Sequence, residues 1–200
     1  VEMSKPIASD NETYTGNDVF LLDEHLMVNP FSLIPEFNWN RRYGVNKFGK
    51  TQSVTYSGDT SRFLLPGYKK AVRVYLSGTF NNWSTMQLPM IQTSSGWVAS
   101  VRLIPGMYLY KFIIDGRWEH DLNNQLKEDD ENGGFNSVLY CYNYTFRLNG
   151  YSSAKKVFVS GSFNNWAERR LRMKPVKGGW ELALYLDEGT HAYKYIVDNE

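Results

Sequence analysis

Short runs of alternating apolar and polar residues fill most of this chain, and each run ends within a few residues at Gly, Pro, Asn or Asp. A period of two is the mark of half-buried strands, not of helices. Residues 72–77 alternate cleanly, with Val72, Val74 and Leu76 on one expected face. Residues 108–114 set Tyr108, Tyr110 and Phe112 on one face and Leu109, Lys111 and Ile113 on the other. Strands are also expected at 53–56, 63–65, 97–103 and 135–142, and Leu88 and Met90 open another. Turn signals separate them at Pro66-Gly67, Ser94-Ser95-Gly96, Pro105-Gly106 and Asp115-Gly116. Residues 123–134 read as a long polar loop, acidic and solvated over 128–131. Residues 18–28 carry the one hint of helical period, through Val19, Leu22 and Leu26, with Asn29-Pro30 as a stop. A strand fits that short run nearly as well. Residues 1–17 are polar and aperiodic, as in a poorly ordered arm. Residues 31–39, apolar and interrupted by Pro30 and Pro35, read as extended and packed on something.

The pattern repeats. Ser77-Gly78-Thr79-Phe80-Asn81-Asn82-Trp83 returns as Ser160-Gly161-Ser162-Phe163-Asn164-Asn165-Trp166, a shift of roughly 83 residues. About 22 of about 57 positions from Ser61 to Arg117 are identical at that one shift, without a gap. Tyr110-Lys111 matches Tyr193-Lys194, Gly96-Trp97 matches Gly179-Trp180, and Asp115 matches Asp198. The expected organisation is an N-terminal extension over 1–60, a first copy over 61–143, and a second over 144–200 that is incomplete at its C-terminal end. Strands at this spacing with turns between them indicate antiparallel β-sandwiches. Ser53-Val54-Thr55-Tyr56 precedes Phe63 much as Ser137-Val138-Leu139-Tyr140 precedes Phe146. The extension therefore holds a strand that docks on one copy, the closing strand of an earlier one, or an irregular segment.

Composition narrows the partners. The formal net charge is +1 with acid and base interspersed, so no basic stripe points to nucleic acid. No apolar run approaches membrane-spanning length. The single Cys141 forms no internal pair, which fits a cytosolic protein or a bacterial envelope or secreted one held by packing alone. Six Trp, 14 Tyr and 11 Phe exceed what small sandwich cores need, and the excess suggests a stacking surface.

Four residues of the first copy call for explanation together. Trp83 ends a turn-rich loop, where a large ring is hard to bury. Lys111 lies mid-strand between apolar neighbours, so its amine needs water or a partner. Trp118 follows the Asp115-Gly116 turn, and Asn136 follows Gly133-Gly134, whose lack of side chains permits close approach. Two indoles with an ammonium and an amide suit pyranose rings, which offer C–H faces for stacking and hydroxyls at their rims. Each residue alone has a plainer reading as core, solvated face or turn. The combination, with Trp83 and Lys111 returning as Trp166 and Lys194, tips the balance. Trp97 and Trp180, each opening a strand after a turn, are assigned to the core.

The 77–83 run resembles the glycogen-binding domain of the AMP-activated kinase β subunit, a family 48 carbohydrate-binding module also found as the early-set domain ahead of branching enzymes and isoamylases. The run from Tyr110 to Asp121 and Gly133-Gly134-Phe135-Asn136-Ser137-Val138 resemble it too. The resemblance implies tandem immunoglobulin-like (early-set) antiparallel β-sandwiches that bind α-1,4-linked glucan. It implies contacts at Trp83, Lys111, Trp118 and Asn136, and at Trp166 and Lys194 in the second copy. Three places depart from the family pattern. Asp121-Leu122-Asn123-Asn124-Gln125 stands for Asp-Pro-x-Asn-Pro, Asn132 stands near an apolar position, and Gly134 replaces a hydroxyl residue.

The leading expectation is a non-catalytic binding protein for glycogen, starch or maltooligosaccharide, without cofactor or metal. The alternative is an assembly scaffold that binds no sugar, with a protein partner or a downstream domain completing the second copy. Catalysis has no support here: His25, His120 and His191 lack metal-ligand spacing, and Cys141 lacks a nearby base. Asn11, Asn82 and Asn143 open N-glycosylation tripeptides, read as chance.

Overall fold

The computed structural model describes residues 42–198, whose regular elements are strands and short 3-10 segments joined by turns and irregular loops. The run at 18–28 and the apolar run at 31–39 lie outside the described residues. In the first repeat, β2 (Val54–Ser57), β3 (Thr60–Leu65), β5 (Ile91–Thr93) and β6 (Gly96–Arg102) form a sheet in the order β2-β3-β6-β5. Facing it are β4 (Val74–Gly78), β7 (Gly106–Ile114), β9 (Lys127–Asp129) and β10 (Phe135–Cys141), in the order β4-β7-β10-β9. β8 (Arg117–Glu119) folds back on β7. Phe63, Leu76, Phe80, Tyr110 and Phe112 are buried between the sheets. The fold is all-β, with every pairing between named strands antiparallel.

The second repeat follows the same plan. β11 (Tyr144–Asn149), β14 (Lys174–Val176) and β15 (Gly179–Leu186) form one sheet, and β12 (Val157–Gly161), β13 (Leu171–Arg172) and β16 (Tyr193–Val197) the other. Phe146, Phe163, Met173, Trp180 and Leu184 are its core. In both repeats one short segment crosses between sheets. Leu88 and Met90 bond to β4, with Leu76 N–H donating to Leu88 O at 2.9 Å and Met90 N–H to Val74 O at 2.8 Å, before β5 joins β6. β13 and β14 do the same beside β12 and β15.

Trp97 and Trp180 are buried as expected, and each indole N–H donates to a turn carbonyl, Tyr68 O or Tyr151 O, at 3.1 Å. Two expectations need correction. Val72 does not join the strand: it is 78% exposed, and its N–H donates to Asp115 Oδ1 at 2.9 Å. The strand begins only at Val74, because the N–H groups of Val72 and Arg73 are both taken by Asp115 rather than by a neighbouring strand. Residues 123–134 are not wholly loop, because β9 pairs with β10.

The strand at 54–57 docks on the first repeat as the partner of β3. The segment before it reaches both repeats. β1 (Tyr43–Gly44) pairs with β15, and Asp187 N–H donates to Arg42 O at 3.0 Å. Three residues on, the Asn46 side chain acts as a strand partner for Tyr140. Its amide nitrogen donates to Tyr140 O at 2.8 Å, and its oxygen accepts Tyr140 N–H at 2.9 Å. Asn143 does the same for Leu186, at 2.7 and 2.8 Å, so that side chain is committed to the backbone. Tyr140 then stacks on Tyr185 of the second repeat, centroids 6.1 Å apart. Gly44 lies flat on the Tyr140 ring; a Cβ there would meet ring carbon Cδ1 at 2.1 Å. Gly44→Ala is therefore expected to destabilise the protein by about 1–3 kcal/mol, and hydrogen exchange at the Asp187 amide should accelerate more than at Ile114.

Candidate functional site

The repeated motif is a device for presenting a tryptophan. Gly78 and Gly161 are extended, and what they require is room: a Cβ would meet Leu109 O at 2.4 Å and Ala192 O at 2.5 Å. Phe80 and Phe163 plug the cores. Asn81 and Asn164 accept the N–H of Gly78 and Gly161 at 2.9 and 3.0 Å, closing the turn. Asn82 and Asn165 adopt left-handed backbone, which Asn tolerates, and the following Trp does so too (φ 56° and 57°). Trp83 N–H and Trp166 N–H donate back to Gly78 O and Gly161 O at 2.9 Å. The indole is thus turned out from the end of β4, or of β12.

On the outer face of the five-stranded sheet the other candidates gather around Trp83. Lys111 stands on β7 opposite Ser77. Trp118 on β8 lies opposite Ile113, two residues from Lys111 and so on the same face. Asn136 on β10 precedes Ser137, the partner of Tyr110. All four line one cleft of about 440 Å³, with Thr79 and Leu109. The indole centroids are 6.2 Å apart and the planes meet at 55°. Trp118 is 43% exposed, whereas Trp83 is half-buried against the cluster of Leu109, Val138 and Tyr140. That cluster continues to Tyr185. The floor of the cleft is thus continuous with the contact between the repeats.

The partner that Lys111 needs is Asp130, so the acidic run over 128–131 is not wholly solvated. Lys111 Nζ donates to Asp130 Oδ2, and both side chains are largely covered. Asp130 Oδ1 accepts Asn132 N–H at 2.9 Å and Gly134 N–H at 2.8 Å. The Lys111 hydrogen bond, followed by those backbone donors, holds the Asp130 carboxyl down at about 2. The ionised, paired form therefore persists through the usual carboxylate range and is lost only as pH falls through about 2.

The second repeat presents Trp166, 46% exposed, and Lys194, whose Nζ donates to Glu168 Oε1 at 2.8 Å. The two carboxylates flanking Trp118 are structural. Asp115 accepts from Val72 N–H and Arg73 N–H, as Asp198 accepts from Lys155 N–H and Lys156 N–H. Asp121 is buried and accepts Tyr110 O–H at 2.8 Å. Cys141 is buried in the first core, and burial pushes its thiol up to about 11. No helix among the described residues is long and apolar enough to cross a membrane.

Comparison with known proteins agrees with the resemblance. The β-1 subunit of 5'-AMP-activated protein kinase from Sus scrofa is 50% identical over 48 residues, covering 24% of this chain and 38% of that protein. The human β-2 subunit is 48% identical over 75 residues, covering 38% of this chain and 27% of that protein. The matched part is thus well under two thirds of these relatives' length. A solved maltogenic amylase from S. marinus aligns over 76% of this chain and 27% of its own, with TM-score 0.34 and 14% identity, a likeness too slight to carry weight. The family model described as the glycogen recognition site of AMP-activated protein kinase matches residues 68–146 and again residues 142–200. These two segments cover more than half of the chain, which therefore belongs to that family of glycogen recognition domains.

Proposed function

We propose that this chain is a non-catalytic α-1,4-glucan-binding protein that takes glycogen, starch or maltooligosaccharide on its two repeats. One observation carries the reading: Trp83, Lys111, Trp118 and Asn136 line a single cleft. Two indoles set at an angle suit the curved path of an α-1,4 chain, and Lys111 and Asn136 lie within the same cleft for the sugar hydroxyls. Trp166 and Lys194 supply a second, more open surface. Binding rather than catalysis fits the commitment of Asp115 and Asp121 to main-chain and tyrosine hydrogen bonds. A single site of this kind binds in the range of roughly micromolar to millimolar, and two on one chain raise retention on a polymer by effective concentration. Isothermal titration with maltoheptaose should give saturable heat, and the protein should co-sediment with glycogen. No heat and no retention at millimolar sugar would reject the reading.

A second reading rests on a different observation. Among the described residues β16 pairs only with β12, and Tyr193 is 45% exposed where its counterpart Tyr110 is fully buried. An unpaired edge is a template for another strand, so the second repeat is also suited to a protein partner or a following domain.

A further inference from the structure

The cleft contains more acid than its tryptophans account for. Asp129, Asp130 and Glu131 line it, with Lys111 as its one cationic side chain among the described residues. Lys111 is held by Asp130 Oδ2, while the other Asp130 oxygen is held by Asn132 N–H and Gly134 N–H. Room for that carboxylate comes from Gly134: a Cβ there would lie 2.7 Å from Asp130 Oδ2. Gly134 has no left-handed φ, so space rather than backbone conformation is what the missing side chain supplies. The second repeat neutralises its lysine as well, by a different route. Glu168, at the position of Thr85, accepts from Lys194.

We infer that Asp130, seated by Gly134, is a positioning and selecting residue: it takes up the charge of Lys111 so that the cleft accepts an uncharged glucan and rejects one bearing phosphate. The inference rests on the glucan reading above. With Lys111 paired, an incoming phosphate meets Asp129 and Glu131 and finds no unpaired cation among the described residues that line the cleft. Neutral sugar loses nothing by this, because Lys111 keeps two of its three N–H donors for hydroxyls.

The test compares maltoheptaose with maltoheptaose 6-phosphate by titration at low, matched ionic strength, on wild type, Asp130→Asn and Gly134→Ala. Asparagine keeps an oxygen for the two backbone donors and releases the ammonium; alanine pushes the carboxylate out of its seat. Wild type should prefer the neutral sugar by at least about fivefold. Both variants should shrink that ratio towards one, and added salt should shrink it in wild type. Equal binding of the two sugars by wild type overturns the inference and leaves the glucan reading intact. So does a ratio that neither variant moves. Parallel loss of both sugars in Asp130→Asn also overturns it, since a charge filter changes the ratio. If wild type binds neither sugar, the glucan reading itself fails.

Discussion

Trp118→Ala is expected to weaken maltoheptaose binding by at least about thirtyfold, roughly 2 kcal/mol, while moving the melting temperature by no more than about 2 °C. The separation of the two effects follows from where the ring sits. Trp118 is on the short strand β8, 43% exposed, with its contact to Trp83 as its ring partner. Its removal takes away one wall of the cleft and little of the fold. Trp83→Ala should behave differently. That ring also covers Leu109, Val138 and Tyr140, so binding and stability should fall together. Titration paired with thermal denaturation of both variants checks this. If Trp118→Ala retains wild-type affinity, stacking in this cleft is not how the chain holds sugar.

The largest loss of stability from a polar residue is expected at Asp121. Its carboxylate accepts Tyr110 O–H at 2.8 Å and Asn123 N–H at 2.9 Å, and its own N–H donates to Ser137 Oγ at 2.7 Å. Tyr110 is fully buried, and burial, with the Asp121 charge second, raises its hydroxyl well above the ordinary tyrosine range. It remains a proton donor with nowhere else to turn. Asp121→Ala should cost about 3 kcal/mol, a fall of roughly 6–12 °C in melting temperature. Leu122→Ala, next in the chain but 74% exposed, should cost less than about 0.5 kcal/mol. Equal melting temperatures for the two variants would show that the Asp121 network does not support the fold.

Much of this was legible from residue order. The alternation at 108–114 correctly separated core-facing Tyr110 and Phe112 from outward Leu109 and Lys111, because strand geometry sends successive side chains to opposite faces. The four cleft residues were named together because each was awkward where it stood. What escaped was set by distance along the chain. Asp130 lies 19 residues from Lys111, and only the fold brings its loop back over β7. Its acidic neighbours gave it the appearance of solvent-facing charge. Gly134 reads as a departure from a family pattern, but the order of residues does not show that Asp130 fits the space it leaves. The pairing of Tyr43–Gly44 with β15 had no local sign, since a two-residue strand carries no period.

That pairing bears on how the chain acquires its shape during synthesis. Residues emerge from the ribosome in order, yet β1 has its partner in Tyr185 and Leu186. Asn46 finds Tyr140 much earlier, 94 residues after itself. The first repeat can therefore mature while translation continues, with its leading segment only half anchored. Until residue 186 is made, Tyr43 and Gly44 remain without their sheet, and closing so long a loop is slow. A pause or an early stop before that point would release a chain whose first cleft is formed but whose amino-terminal clasp is still open.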